Sequence, residues 1–205
     1  MPTPPSTEAP TLVLASASPR RRELLERAGV RFRARAADVD ESPRPGERPT
    51  DLVARLAREK ALAVALALPA SPRRVVLGAD TIVVVEGEVV GKPVDPEHAV
   101  KLLRRLVGRL HEVWTGVAIV ESGGGFLGEH RVSSRVAMRD ATEPEIRRYV
   151  ATGEPLDKAG AYAAQGEGRR FILRIEGSET NVIGLPMDET LALLAEAGIV
   201  PERSA

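Results

Sequence analysis

This chain of 205 residues lacks cysteine and has few histidines, and each shortage excludes a class of protein. Without cysteine there can be no disulfide scaffold, thiol catalysis, iron–sulfur cluster or cysteine-built zinc site. The only histidines, His98, His111 and His130, are scattered and form no zinc-binding motif. A bound metal ion would therefore need oxygen ligands, which favours magnesium or manganese.

Long apolar runs and an excess of one charge are also absent. The longest apolar stretches, such as residues 75–77 and 82–85, are far shorter than the ~20 residues of a membrane-spanning helix. Lysine and arginine number 29, as do aspartate and glutamate, so the formal net charge is zero. Because a neutral chain is not attracted as a whole to nucleic acid or anionic lipid, we expect neither partner. A bound anion must instead be met by a local cluster of cations.

The composition that is present is typical of a soluble globular protein, with 43% hydrophobic and 28% charged residues. Alternating strand and helix patterns predict an α/β domain with a long, mixed, twisted sheet. One amphipathic helix is expected over residues 51–68, capped by Thr50 or Asp51. Residues 1–10 are rich in proline, serine and threonine and lack the segments of a signal peptide. They predict a flexible leader and a cytoplasmic protein.

The first candidate site lies between an apolar strand at residues 11–15 and a helix that begins near Pro19. Residues 16–22, Ser-Ala-Ser-Pro-Arg-Arg-Arg, place two hydroxyls and three arginines at the helix N-terminus. Free backbone N–H groups and partial positive charge make such a terminus suitable for phosphate, and arginine adds paired donors. The alternative is an ordinary N-cap at Ser18 followed by a solvated basic turn.

The second candidate is Asp80, which interrupts the most apolar predicted strand, at residues 75–85. A carboxylate in that setting is costly unless it is paired, binds a metal or has a perturbed pKa. The predicted hairpin that follows brings Lys92 back across the strand, where it could face Asp80. We therefore favour a catalytic or metal-binding role over a strand-end aspartate that caps a neighbouring loop.

Two further segments carry polar groups suited to a ligand. Asp38, Asp40 and Glu41 form an acidic cluster, which is either solvated or supplies a carboxylate for a cation. Residues 157–166 combine small residues with Gln165, whose amide offers both a donor and an acceptor to a base edge. The alternative for this second segment is a plain glycine-rich connection. We predict two short strands between residues 156 and 186.

Several short motifs keep a fixed order along the chain. They are residues 14–25 (LASASPRRRELL), 56–61 (LAREKA), 78–81 (GADT), 91–93 (GKP), 115–116 (TG), 157–160 (DKAG), 177–178 (GS) and 181–186 (NVIGLP). Together they resemble the Maf family of nucleoside-triphosphate pyrophosphatases. The resemblance implies an elongated mixed twisted sheet flanked by helices, related to the inosine-triphosphate pyrophosphatases. It also implies one catalytic domain over residues 11–198, a leader at 1–10 and a flexible tail at 199–205.

The resemblance implies an activity as well. Maf enzymes use a divalent cation, magnesium or manganese, to hydrolyse a nucleoside triphosphate between the α and β phosphates. The products are a monophosphate and diphosphate. The pattern Asp-Lys-Ala-Gly-x-Tyr-x-x-Gln-Gly from residue 157 is similar to that of the dTTP/UTP branch. The other bacterial branch acts on 7-methyl-GTP and lacks the Tyr and Gln of this pattern. Modified pyrimidine nucleotides would also fit the branch.

Site residues are carried over position by position. Asp80 matches the family's proton acceptor. The substrate-specificity positions are matched by Arg20, Thr81 and Gln165, and further active-site positions by Ser16, Arg21, Glu41, Lys60 and Lys92. We accordingly expect Glu41 and Asp80 to hold the metal ion and the remaining residues to bind substrate.

The chemistry of these residues agrees with that assignment. A triphosphate carries several negative charges, and the cations at positions 20, 21, 60 and 92 could meet them. Glu41 and Asp80 could hold a cation that bridges phosphate oxygens and activates a water. Asp80 would accept the proton as water attacks the α-phosphorus. The sequence leaves open whether Asp80 acts mainly as base or as metal ligand.

Two alternatives remain beside a dTTP/UTP pyrophosphatase. One is a pyrophosphatase of 7-methyl-GTP or another modified purine nucleotide, against which the Gln165 pattern argues. The other is a nucleotide-binding regulator of septum formation, a process to which the family has been linked. A sensor would need the cations but neither Asp80 nor a metal, so we predict an enzyme. The family likeness also suggests a homodimer.

Overall fold

The structure is organised around one mixed β-sheet, and this computed structural model describes residues 11–202. The strands are β1 Thr11–Leu14, β2 Phe32–Ala34, β3 Arg74–Val85, β4 Glu88–Val90, β5 Leu110–Glu121, β6 Phe126–Met138 and β7 Ile172–Glu176. The α-helices are α1 Pro19–Arg27, α2 Pro49–Leu66, α3 Pro96–Leu106, α4 Glu143–Val150, α5 Glu179–Ile183 and α6 Met187–Glu196. Short 3₁₀ helices occupy Glu154–Asp157, Ala159–Ala161 and Gly166–Phe171.

Across the sheet the strand order is β2-β1-β3-β5-β6-β7, and β4 pairs with the far end of β3. The strand β1 runs parallel to β2 and β3, whereas β3, β5, β6 and β7 pair antiparallel. The predicted α/β fold with a mixed sheet flanked by helices is confirmed. The long strand β3 lies inside the sheet and carries the candidate aspartate.

Side-chain alternation along β3 decides which helix each residue faces. Val76 and Val84 pack beneath α2, whereas Leu77 packs in the core shared with α1 and α6. Both faces are therefore covered, which explains why the strand reads as almost continuously apolar. Asp80 shares the parity of Val76 and Val84 and faces α2. Its neighbour Thr81 faces the opposite side.

Two glycines allow α2 to approach the sheet closely. A Cβ at Gly78 would lie 2.1 Å from the Ala57 carbonyl oxygen, and one at Gly116 would lie 2.3 Å from that of Val53. Any larger residue at either position would push the helix away from the sheet. The close approach brings Lys60, one turn beyond Ala57, over Asp80.

Local structure differs from the sequence predictions in two places. Helix α2 begins at Pro49 with Arg48 as its N-cap, so the prediction of Thr50 or Asp51 as cap was wrong. Proline is well suited to the first helical position because its missing N–H is not needed there. Between residues 156 and 186 only β7 forms, not two strands. The remainder is built from 3₁₀ turns and the short α5, and the N–H groups of Ala163, Glu167 and Gly168 donate to side chains rather than to a neighbouring strand.

The ends of the chain are described in part. The predicted leader, residues 1–10, and residues 203–205 of the predicted tail lie outside the described residues. Ile199 is buried, and the backbone N–H of Glu202 donates to the Gly29 carbonyl at 2.8 Å. Among residues 11–202, no helix has the length and apolar character needed to cross a membrane.

Candidate active site

A cleft of about 630 Å³ opens beside Asp80, and all the predicted site residues line it. They are Ser16, Arg20, Arg21, Glu41, Lys60, Asp80, Thr81, Lys92 and Gln165. These residues come from α1 and the loop before it, the loop after β2, α2, β3, the loop after β4 and the segment before β7. The structure thus brings together residues that lie up to 149 positions apart in the sequence. Their individual roles stay predictions.

A lysine between two carboxylates forms the centre of the cleft. The Lys60 Nζ lies 2.6 Å from Asp80 Oδ1 and 2.6 Å from Glu41 Oε1. Lys60 and Asp80 are only 8% and 7% exposed, so each depends on the other to balance a buried charge. Lys92 adds a longer contact, 3.9 Å from its Nζ to Glu41 Oε2.

Glu41 is held in its ionised form by these cations. Burial raises the pKa of its carboxyl, but the hydrogen bond from Lys60 and the charges of Lys60, Lys92 and Arg21 outweigh that effect. The net result is a pKa below the usual value for glutamate. The carboxylate is half exposed and faces the cleft, where an incoming cation could reach it.

At the N-terminus of α1, the loop is arranged differently from the expected cap. Ser18 is the N-cap residue, but its side chain accepts no hydrogen bond from the first turn. Its own backbone N–H instead donates to Ser16 Oγ at 3.2 Å. Arg20 reaches across the cleft opening towards Asp157, with 3.5 Å between Arg20 NH1 and Asp157 Oδ2.

Arg21 is committed mainly to the protein itself. Four of its five guanidinium N–H groups donate to protein acceptors, which leaves one for a ligand. The acceptors are the Ser16 hydroxyl, the Thr81 hydroxyl and the carbonyl oxygens of Ala79 and Gly184, at 2.8–3.1 Å. Burial lowers the pKa of Arg21, against the opposing charge of Asp80. This arginine braces the cleft wall as well as adding positive charge.

A buried chain of hydrogen bonds continues from Thr81 and was not identified from the sequence. The hydroxyls of Thr81 and Thr115 lie 2.9 Å apart, and the Thr115 hydroxyl donates to the Asn181 carbonyl at 3.1 Å. Asn181, at 0% exposure, donates its side-chain amide to Val113 O and Ser134 Oγ. The chain fixes the turn that carries Val182 and Gly184 at the cleft rim. Thr115 and Asn181 lie in two of the motifs that the sequence shares with the Maf family, and these motifs were the available signal.

Gln165 lies on the cleft wall formed by the segment before β7. It is the N-cap residue of the 3₁₀ helix Gly166–Phe171. Nearby, the Tyr162 hydroxyl lies 2.8 Å from Nε2 of His111, a residue only 2% exposed. Burial lowers the pKa of His111 to about 4, so the pair is neutral at neutral pH.

Asp157 and Lys158 also line the cleft. Both belong to the motif at residues 157–160, but the sequence did not predict them as site residues. Lys158 Nζ lies 2.5 Å from Asp157 Oδ1. Burial raises the pKa of Asp157, but Lys158 and Arg20 lower it further, so the carboxylate is ionised. The spacing of the motif had suggested only a close backbone approach.

Glu41 and Asp80 are the oxygen donors to test against the expected magnesium or manganese ion. Within residues 11–202 no group of three or more histidine, aspartate or glutamate side chains could hold a metal ion. Magnesium, however, is commonly held by one or two carboxylates while water and substrate phosphates supply its other ligands. The Lys60 ammonium already lies between these two carboxylates, so this point of the cleft favours positive charge. The donor set fits such an ion.

The chain matches a known protein family over the region that contains this site. The model of the family described as "Maf-like protein" matches residues 11–197, which is nearly the whole described chain. The chain belongs to the Maf family. The resemblance in its motifs is thus confirmed, and the Maf domain contains every residue of the cleft.

Individual relatives of this Maf chain carry one shared name, "dTTP/UTP pyrophosphatase". The protein of Anaeromyxobacter dehalogenans is 53% identical over 93% of this chain and 95% of its own length. That of Hahella chejuensis is 51% identical over 92% of both chains, and that of Myxococcus xanthus is 50% identical over 92% and 93%. A solved structure from Mycobacterium abscessus, described as "Nucleoside-triphosphatase / dITP/XTP pyrophosphatase", aligns over 92% of this chain and 94% of that chain. Its TM-score of 0.40 and 14% identity are too low to support a conclusion.

Proposed function

We propose that this Maf protein hydrolyses dTTP and UTP between the α and β phosphates, releasing the monophosphate and diphosphate. The observation that carries the proposal is the Glu41–Lys60–Asp80 group at the centre of a cleft that also presents Arg20 and Gln165. One cleft thus offers a proton acceptor, cations for phosphates and an amide for a base. The names of the relatives at about half identity support the same reaction.

The triphosphate is bound by cations gathered from distant segments. Arg20, Lys60 and Lys92 face the cleft, and the N-terminus of α1 adds its partial positive charge. Because the chain as a whole is neutral, this concentration of charge is local to the cleft. The same cations stabilise the diphosphate as it leaves.

Asp80 accepts the proton of the attacking water. One of its carboxylate oxygens, Oδ1, is bound to Lys60, and no described residue donates a hydrogen bond to Oδ2. As the water oxygen bonds to the α-phosphorus, its proton passes to Asp80 and the bond to the α–β bridging oxygen breaks. Diphosphate then leaves, and no covalent enzyme intermediate is needed.

Glu41 and Asp80 would hold a magnesium or manganese ion. When bound, such an ion neutralises phosphate charge and polarises the α-phosphate. Lys60, which contacts both carboxylates and lines the same cleft, would add its positive charge to that of the ion.

Gln165 and Thr81 select the base. An amide that both donates and accepts can match the polar edge of thymine or uracil, and a purine would leave its groups unpaired. A cytoplasmic location, a homodimer and the absence of nucleic-acid and membrane partners are part of the same proposal.

The proposal is tested by product release from dTTP, UTP, CTP, GTP, 7-methyl-GTP and ITP, with magnesium or manganese and with a chelator. We expect metal-dependent formation of monophosphate and diphosphate from dTTP and UTP. Preference for 7-methyl-GTP would preserve the reaction but overturn the proposed specificity. If the folded protein hydrolyses none of these substrates, the proposal of an enzyme would be overturned and a nucleotide-binding regulator would be favoured.

A further inference from the structure

The segment that carries Gln165 has little regular structure of its own. Residues 163–168, here called the Gln165 loop, lead from the cleft wall into a 3₁₀ helix. Such a segment is not paired to the sheet, so its position must be set by other contacts. Two residues behind it, Tyr149 of α4 and Glu154 of the next 3₁₀ helix, supply them.

Tyr149 and Glu154 bind the backbone of the loop on both sides of Gln165. The Tyr149 hydroxyl accepts a hydrogen bond from the Ala163 N–H at 3.1 Å and donates to Glu154 Oε1 at 2.8 Å. The Glu154 carboxylate also accepts from the N–H groups of Glu167 and Gly168, at 3.0 and 2.9 Å. Gln165 lies midway between the two anchored points.

Glu154 is ionised in this arrangement. Burial raises the pKa of its carboxyl, but the two backbone N–H groups and the Tyr149 hydroxyl lower it further. Charge-assisted hydrogen bonds of this kind are stronger than neutral ones. A neutral amide in place of the Glu154 carboxylate would therefore hold the loop with weaker hydrogen bonds.

Glycines let the loop close on these two side chains. A Cβ at Gly166, which has a φ of +71°, would lie 2.5 Å from Glu154 Oε2. A Cβ at Gly168 would lie 2.6 Å from the Tyr149 hydroxyl and 2.6 Å from the Ala163 carbonyl oxygen. The loop thus fits tightly around the hydroxyl and the carboxylate, with no room for a side chain between them.

Neither anchoring residue reaches the cleft. Gln165 and Ala163 line it, whereas Tyr149 and Glu154 do not. Tyr149 is fully buried, and its ring packs edge-on against Phe171. Any effect of the pair on substrate must therefore pass through the loop.

We propose that Tyr149 and Glu154 are positioning residues that hold Gln165 in register with the base and so set the preference for pyrimidine nucleotides. The inference rests on the proposed function, since it assigns a cause to the base selectivity of that site. A displaced Gln165 loses its bonds to thymine or uracil but none to a purine. Selectivity should thus decline together with affinity, while Asp80 and Lys60 on the other wall continue to act.

The test compares Glu154→Gln and Tyr149→Phe with the wild-type chain. Each change keeps the shape of the side chain and removes acceptor capacity or the hydroxyl. We expect KM for dTTP to rise about five- to tenfold in each, the loss of roughly one hydrogen bond, with kcat nearly unchanged. The ratio of kcat/KM for dTTP to that for GTP should fall by a similar factor. Thermal unfolding measured in parallel identifies a variant that has failed to fold.

Glu145→Gln is the matched control. Glu145 stands at the start of α4, where its carboxylate accepts from the Thr142 N–H and from Arg139. This change removes the same type of contact away from the loop, so we expect lower stability with unchanged KM and preference.

The outcomes separate the inference from the proposed function. If the wild-type chain hydrolyses dTTP, and the folded Glu154→Gln and Tyr149→Phe variants show unchanged KM and unchanged nucleotide preference, the inference is overturned while the proposed function stands. Equal changes in the Glu145→Gln control also overturn it, because they would reflect general destabilisation. A wild-type chain inactive on every nucleotide overturns the proposed function and the inference with it.

Discussion

On one wall of the cleft, Glu41, Lys60 and Asp80 are held by contacts between full charges, with 2.6 Å from the lysine to each carboxylate. On the other wall, here called the neutral wall, the uncharged amide of Gln165 lines the cleft and its loop is held through backbone N–H groups. The first wall suits phosphates, whose charge changes during hydrolysis. The second suits a base, which is neutral and is recognised by shape and hydrogen-bond pattern.

The two walls should respond differently to substitution. A charged wall depends on ionisation states, so its loss should lower the rate of the chemical step. A neutral wall depends on fixed positions, so its loss should weaken binding and selectivity. Variants on the two walls should therefore separate into kcat and KM effects.

Asp80→Asn should give the largest effect. The amide keeps the size of the side chain but cannot act as a base, so kcat should fall by about 10²–10⁴-fold. The preference for dTTP over GTP should persist, because the other wall is intact. Single-turnover kinetics with dTTP measure the chemical step directly, and turnover near the wild-type rate would refute the assignment of Asp80 as base.

His111, which bonds Tyr162 of the neutral wall, should make the free energy of unfolding depend on pH. Its pKa is lowered from 6.5 to about 4 in the folded protein, so between these values the unfolded state binds the proton more readily. Stability should consequently fall as the pH drops through this window, by about 2 kcal/mol between pH 7 and pH 5. Urea unfolding at a series of pH values measures the slope.

His111→Gln supplies the comparison for that slope. Glutamine can still bond the Tyr162 hydroxyl but has no proton to take up, so its stability should vary less over the same window. Carboxylates such as Glu41 contribute equally to both proteins, and the difference between the slopes isolates His111. Identical slopes would show that His111 is not buried in its neutral form.

Gln165→Ala should give the smallest of the three effects. Loss of the amide should raise KM for dTTP up to about tenfold, as expected for one or two hydrogen bonds, and change kcat less. Glu167→Ala, at an exposed position of the same loop, is the control and should leave KM unchanged. An unchanged dTTP-to-GTP preference in Gln165→Ala would remove Gln165 from the account of specificity.

Sequence reasoning located the residues of both walls with unequal detail. Asp80 could be singled out because a carboxylate within an apolar strand is costly, and Lys60 because its motif matches the family. That Lys60 lies between two carboxylates could not be predicted. It depends on how closely α2 approaches β3, which Gly78 and Gly116 permit.

The neutral wall was less accessible to prediction. Residues 156–186 were expected to contain two strands, and only β7 forms. Tyr149 and Glu154 carry no pattern that marks them, since a tyrosine on an amphipathic helix and a glutamate after a glycine are common. Their importance arises from hydrogen bonds to backbone groups 13 and 14 residues beyond them.

The class of fold, the family and nine of the residues that line the cleft could be inferred from the sequence alone. Those properties are encoded locally, in apolar periodicity, in the order of motifs and in residue types suited to phosphates and a base. Which charges meet, and which residues hold Gln165 in place, depends on the tertiary packing. These contacts join segments from different parts of the chain, and the packing of the helices against the sheet sets the distance and direction between those segments.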